Sequence, residues 1–369
     1  MKRENIKCIS AATDKWLKYQ SLKTAHSTYV NYKSKANIVK RNIGERLISK
    51  TKTTDIREFI LELSESYCNK TINEILIVLR GAFNYAIEAK IIKNNPMSNI
   101  NNLPIADPRP ISFELNEISA ILAVKTTDVN GKNLFALGIN TGLRISELLA
   151  LMWSDIDLSN GWLTVKRSNV IGRYKTPKTS ASYRKLKLNR HSIAVLKQQF
   201  SVTGHLPNVT IKCTLDDNRS QETVTGNFLF INEKTGNPFK SVAEFREQFF
   251  RPLCTSAHVP FKGATTIRHT FASHAVKAGA SDFWVAKQLG HTSTKTIRKH
   301  YLADLESDEP TQLNKLTDYY QKIEYWSTDA PYEHQDESDI DSRLDLLYEL
   351  QKVIENHGKL KINNQHIHF

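Results

Sequence analysis

The chain has 369 residues, 24% of them charged and 40% hydrophobic, with a formal net charge of +13; that is room for about two globular domains of ~150 residues, each with its own core. The charge is uneven: residues 302–369 hold 15 acidic and 6 basic side chains (net −9), leaving 45 basic and 23 acidic in residues 1–301 (net +22), a balance that suits a polyanion, with nucleic acid the leading candidate. Four scattered cysteines with no CxxC pair, no apolar run near the ~20 residues of a membrane span, and no GxxxxGK[ST] or HExxH motif argue against a disulfide or zinc framework, a membrane protein, an ATPase and a metalloprotease.

The first hundred residues read as helices. "DKWLKYQSL" places Trp16, Leu17 and Leu22 among polar residues. "TTDIREFILELSESY" repeats Ile56, Phe59, Ile60 and Leu63 at helical spacing, with Thr54 and Asp55 as the expected N-cap. "NKTINEILIVLRGAFNYAIEAKII" carries Ile72, Ile75, Leu76, Leu79, Phe83 and Ile87 on one stripe and is expected to stop at "KNNP". The expected organisation is a helical domain over 1–100, then a proline-rich, semi-stiff linker over 101–111.

A second domain is expected over 112–305. Ser112 is the expected N-cap of "SFELNEISAILAVK", and "KNLFALGINTGLRISELLALMWSDIDL" continues helical. Then the period changes to two. "GWLTVKRSNVI" and "SYRKLKLN" alternate, with Leu186 and Leu188 on one face and Lys185 and Lys187 on the other, and predict two strands joined through "GRYKTPKTSA". "NFLFIN" predicts a further short strand, and helices are expected near 241–254, 265–278, 281–289 and 293–301. The fold class is mainly α with a small antiparallel β-sheet. The remaining segment, 306–369, reads as an acidic amphipathic tail; its stripe Ile340, Leu344, Leu347, Leu350 and Ile354 needs a partner face, on this chain or on a neighbouring protomer.

The chemistry lies in the second domain. Arg144 opens the helix of "RISELLALMW", where Glu147 at i+3 can hold its guanidinium; an ordinary surface ion pair has the same spacing. Arg268 lies in "TTIRHTFASH" with Thr265 and His269 on one stripe, away from the apolar face. His291 follows Gly290 where one helix should end and the next begin, and Tyr301 ends that next helix. Tyr301 fits a packed aromatic as well as a nucleophile. Together these residues suit one reaction. A phosphodiester under attack gains charge on its non-bridging oxygens, which arginine forks hold well. A phenolate can attack phosphorus, and a lysine can protonate the departing 5′ oxygen. The new bond stores the energy of the old one, so no ATP is needed.

"TGLRISEL", "TTIRHTFASH", "QLGHTSTKT" and "HY", in this order and at these separations, resemble the tyrosine recombinase (phage integrase) family. Each motif alone is weak, the ordered set is specific, and the resemblance covers roughly residues 10–305. It implies a helical core-binding domain and a catalytic domain clamped around DNA, and catalytic roles for Arg144, Arg268, His291 and the nucleophile Tyr301. It implies Lys178 of "TPKTSASYRKLKL" as general acid, with Lys175 the runner-up. The implied function is a site-specific recombinase working through a 3′-phosphotyrosyl intermediate to integrate or excise a prophage or other mobile element. The implied partners are duplex attachment sites, a tetrameric synaptic complex of this chain, and accessory DNA-bending proteins of host or element. No cofactor, metal or membrane is implied, and the bacterial cytoplasm is the expected location, in keeping with a start, "MKRENIKCIS", that lacks a signal-peptide core. One position departs: Thr265 stands where the family usually has histidine, and His269, one turn along, is a partial substitute or a packed helix histidine. A DNA-binding regulator that has lost cleavage and a topoisomerase-like relaxing enzyme remain open. Of the first domain's cations, some of Lys33, Lys35, Lys40 and Arg41 are expected on phosphates. His357, His366 and His368 near the end are expected to be solvated, not metal-bound.

Overall fold

The computed structural model describes residues 6–106, 110–126, 128–177 and 183–301. Lys178, the acidic tail and its three histidines therefore lie outside the described residues; Tyr301 is placed as the last residue of a helix, by its backbone alone.

Four helices build the first core: α1 (Ile9–Lys23), α2 (His26–Ile43), α3 (Thr53–Ser64) and α4 (Asn69–Glu88). Ile72, Ile75, Leu76, Leu79 and Phe83 of α4 are fully buried against Ile9, Ala36, Val39, Ile56 and Phe59. Trp16 crosses α4 at Gly81, where a Cβ would come within 2.2 Å of the indole, so only glycine lets the two helices approach this closely. Leu22 is off the buried face and exposed, five residues beyond Leu17 and out of phase with it. The cap of α3 is Lys52, not Thr54; Asp55 is the third helical residue, and its carboxylate accepts the Lys52 N–H at 2.8 Å. α4 ends at Glu88, before "KNNP", because Lys90 takes a left-handed φ of 57° and Ile91 N–H returns to Ala86 O at 2.9 Å. The start of the connecting segment is tied to α4: Asn73 donates to Leu103 O (2.9 Å) and accepts from Leu103 N (2.8 Å), and Arg80 donates to Ile100 O (3.0 Å).

The second core surrounds Phe113, Phe135, Phe245 and Phe250, whose rings pack edge-on or stacked. Its helices begin with α5 (Leu115–Ala123), α6 (Val129–Thr141) and the short α7 (Ile145–Leu148). Glu114, not Ser112, caps α5, with Glu117 accepting its N–H at 2.7 Å. Strands β1 (Ile156–Asp157), β2 (Trp162–Val165), β3 (Ser168–Val170), β4 (Arg173–Lys175) and β5 (Arg184–Lys187) follow. β2 pairs antiparallel with β1 and β5, aligning Leu163 with Leu186 and Val165 with Arg184. The segment expected as one strand plus a loop instead breaks after Val165 and turns back: β3 and β4 form a hairpin through Ile171 (φ 52°) and Gly172 (φ 73°), both left-handed as a tight two-residue turn requires.

After α8 (Arg190–Thr203), β6 (Val209–Thr214) and β7 (Gln221–Gly226) form a second hairpin. β6 runs parallel to β4, so this four-stranded sheet, in the order β3-β4-β6-β7, is mixed. "NFLFIN" contributes only a two-residue strand, β8 (Ile231–Asn232), paired with β9 (Asn237–Pro238). The chain then runs through α9 (Val242–Phe245), a π-helical turn (Arg246–Phe250) and α10 (Arg251–Ser256) to α11 (Thr266–Lys277), α12 (Asp282–Leu289) and α13 (Lys295–Tyr301).

Candidate active site

Gly142 ends α6 at a left-handed φ of 67°, and a Cβ there would strike Phe271 at 2.4 Å and Leu289 at 2.7 Å. This glycine turns the chain so that Arg144 becomes the N-cap of α7. The helix expected from Arg144 through Met152 is one turn long. Glu147, its third residue, is 5% exposed. Its carboxylate accepts the Arg144 N–H at 3.0 Å and the Arg144 guanidinium at 2.8 Å. The Arg144 side chain is 42% exposed, so its fork is anchored at one corner and open to solvent elsewhere.

Arg268 differs from its expected place. It lies on the buried side of α11, 8% exposed, while Thr265 is exposed and His269 half-buried. Its guanidinium donates to Gly142 O at 2.9 Å and to Leu289 O at 2.8 Å, and meets His291 Nε2 at 2.8 Å. Those acceptors come from the ends of two helices. Gly290 closes α12 at a left-handed φ of 72°, and His291 N–H turns back to Ala286 O at 2.9 Å, which points the imidazole at Arg268.

Arginine can only donate, so Nε2 of His291 accepts and the neutral ring carries its proton on Nδ1. That buried Nδ1 has no partner among the described residues. Burial first, then the guanidiniums of Arg268, Arg144 and Arg184, push the imidazole down to about 4 from 6.5, against a smaller upward pull from Glu147. Burial also pushes the Glu147 carboxyl up, but Arg184 and Arg144 outweigh it and hold the group below the usual carboxylate range. Three guanidiniums thus face one carboxylate and one neutral imidazole, which leaves the site a surplus of positive charge.

The His291 shift has a consequence for stability. Between about pH 4 and pH 6.5 the unfolded imidazole takes up a proton that the folded one refuses. This contribution is complete above the unfolded value and is lost as pH falls towards the folded one. In denaturant titrations the wild type will lose more stability between about pH 7 and pH 5 than His291→Gln does, and equal losses would remove His291 as the source.

Sequence reasoning missed Arg184, which is 8% exposed. It donates to Glu147 Oε2 at 2.9 Å and to Gln288 O at 2.8 Å. The signal was present: Arg184 shares strand parity with Leu186 and Leu188, the inward face of β5. Beside His291, a cleft of about 580 Å³ lies between Trp162, Lys185 and Lys187 on one side and Trp284 and Lys287 on the other. It borders the arginine cluster and includes neither Arg144 nor Arg268.

Tyr301 ends α13, which begins four residues after His291. Ile297 of α13 is fully buried, and Arg298 pairs with Asp282 of α12 at 2.7 Å, so the helix is anchored to the element that presents His291. Lys175 ends β4, half-buried, and lines a different cleft, with Ala25, His26 and Arg219. No group of three or more His, Cys, Asp or Glu among the described residues is placed to hold a metal ion, and no described helix is long and apolar enough to cross a membrane.

The profile of the phage integrase family matches residues 112–307. The prophage integrase IntR of Escherichia coli (strain K12) is 24% identical over 331 residues, 84% of this chain and 80% of that protein. The ICEBs1 integrase of Bacillus subtilis (strain 168) is 24% identical over 299 residues, 78% of this chain and 77% of its own length. Among solved structures, the Tn1549 transposon integrase in complex with a circular intermediate DNA has a similar fold, with a TM-score of 0.67 at 21% identity over 80% of this chain and 95% of that one. A lambda integrase dimer bound to a COC′ core site gives a TM-score of 0.61 at 18% identity, with the same coverage of both chains. The chain belongs to the phage integrase family, the tyrosine recombinases.

Proposed function

We propose that Tyr301 is the nucleophile of this recombinase and that it acts at paired sites on duplex DNA to integrate or excise a mobile element. The phenolate oxygen attacks the scissile phosphorus, the P–O5′ bond breaks, and the 3′ end is left joined to Tyr301. Arg144 and Arg268 hold the non-bridging oxygens as charge grows on them. His291, neutral at working pH, accepts from Arg268 through Nε2 and helps hold that guanidinium in place. Lys178 gives the 5′ oxygen its proton. A second 5′ hydroxyl then reverses the steps on the partner strand, with no external energy source. The observation that carries this reading is the pair of contacts Arg144–Glu147 and Arg268–His291, tied together through Arg184 and the Gly142 carbonyl, beside the helix that carries Tyr301. Lys175 faces another cleft, which favours Lys178 as the acid.

The relatives include integrases solved as dimers and tetramers on DNA, and an oligomer of this chain on paired sites follows as part of the proposal. Of the first-domain cations, Lys35 is paired with Glu74 and Lys40 with Asp14, so Lys33 and Arg41, both exposed, are the ones proposed to meet phosphates. Thr265 favours one second reading, a DNA-binding protein that no longer cleaves. Incubating the protein with DNA carrying the junctions of the element that encodes it separates the possibilities. Strand exchange between two sites supports recombination, relaxation without exchange supports a topoisomerase, and binding with no covalent adduct supports the regulator.

The acid is tested by sulfur substitution. A 5′-bridging thiolate leaves without protonation, so Lys178→Ala will be slow on the ordinary phosphodiester and restored on the sulfur substrate. Rescue of Lys175→Ala in its place would move the role to Lys175.

A further inference from the structure

We propose that Arg184 is a positioning residue for cleavage, one buried guanidinium that locks the holder of Arg144 and the holder of Arg268 and His291 into a single register. The proposal rests on the reading of the site as a phosphodiester-cleaving centre. Two arms leave Arg184. Through NH2 at 2.9 Å it fixes Glu147, whose other oxygen carries the Arg144 guanidinium at 2.8 Å. Through Nε at 2.8 Å it fixes Gln288 O, one residue before the Leu289 carbonyl that receives Arg268 and three before His291. Arg268 reaches Gly142 O in the turn before Arg144 at 2.9 Å, but Arg184 of β5 grips the carboxylate that holds the Arg144 guanidinium and, with the same planar group, the end of α12.

A purely structural role explains the geometry less well. A buried ion pair is weak evidence for stability, and apolar residues of similar volume often do as well. An apolar side chain on this face would match Leu186 and Leu188 and still fill the core. It would leave Glu147 with Arg144 alone and the end of α12 without its clamp. Lysine would keep the charge but could not reach the carboxylate and the carbonyl from separate corners of one planar group.

The test compares wild type and Arg184→Lys in single-turnover cleavage of a nicked site carrying either the normal phosphodiester or a methylphosphonate at the scissile position. Methylphosphonate lacks the negative non-bridging oxygen, so correct placement of the arginines matters less on it. Misplacement of about 1 Å in a catalytic group typically costs ~10²-fold, so Arg184→Lys is expected ~10²-fold slow on the phosphodiester. On methylphosphonate the deficit shrinks to about threefold, with DNA affinity within about twofold of wild type. Equal deficits on both linkages, or none on either, overturn the proposal. Because an unpaired buried charge can unfold the chain, the neutral double variant Arg184→Met with Glu147→Gln is measured beside it. It is expected to fold and to show the same linkage-dependent deficit; a folded double variant with the wild-type phosphodiester rate also overturns the proposal. Absence of cleavage by the wild type would refute the catalytic reading itself, a result distinct from a normal rate in Arg184→Lys.

Discussion

Tyr301→Phe will bind its DNA site with near wild-type affinity and form no covalent adduct. The change removes one oxygen and no positive charge, so the phosphate contacts that dominate DNA affinity stay in place. Deleting a nucleophile that acts with its partners as a unit typically costs ~10⁴-fold or more. The placement of α13 supports the proposal. Fully buried Ile297 holds α13 (Lys295–Tyr301) in the core, and the 2.7 Å contact of Arg298 with Asp282 ties it to α12, which leads into His291. Gel separation of a suicide-substrate reaction reads the outcome. An adduct persisting in Tyr301→Phe would transfer the nucleophile to another residue.

Arg144→Ala and Arg268→Ala will each slow cleavage by ~10²–10³-fold, the usual cost of one preorganised donor to a developing oxyanion. Lysine will restore little at either position, since a point charge cannot make the two-pronged contact. The two variants should differ in stability. Arg144 is 42% exposed and anchored at one corner, so its loss leaves Glu147 still paired with Arg184. Arg268 is buried and satisfies Gly142 O and Leu289 O. Removing it orphans buried carbonyls, each worth ~1–3 kcal/mol, so Arg268→Ala will unfold at lower denaturant while Arg144→Ala unfolds close to wild type. Lysine variants that cleave at the wild-type rate would show that neither guanidinium grips the phosphate.

The ordered motifs carried the family, because turn glycines and charged residues at fixed separations survive as sequence signals. Geometry was less legible. Arg268 reads as a polar stripe residue by helical phase, yet it is buried, because its partners are carbonyls contributed by Gly142 and Leu289, far away in sequence. α2 went unread because only Ala36, Val39 and Ile43 of its 18 residues are buried. The β6–β7 hairpin was missed although Val209, Ile211 and Cys213 alternate with polar residues in β6; only Cys213 and Gly226 in it are buried, and β7, "QETVTG", shows no such alternation. Arg184 was marked by strand parity, but a cation on an inward face makes sense only once Glu147 is seen opposite.

The most direct measurement is the site of covalent attachment. Wild-type protein is trapped on a nicked DNA site, digested with protease and nuclease, and the nucleotide-bearing peptide is sequenced by mass spectrometry. The account predicts a nucleotide linked through its 3′ phosphate to Tyr301. Attachment at another residue, or intact DNA bound with no covalent link, would contradict it.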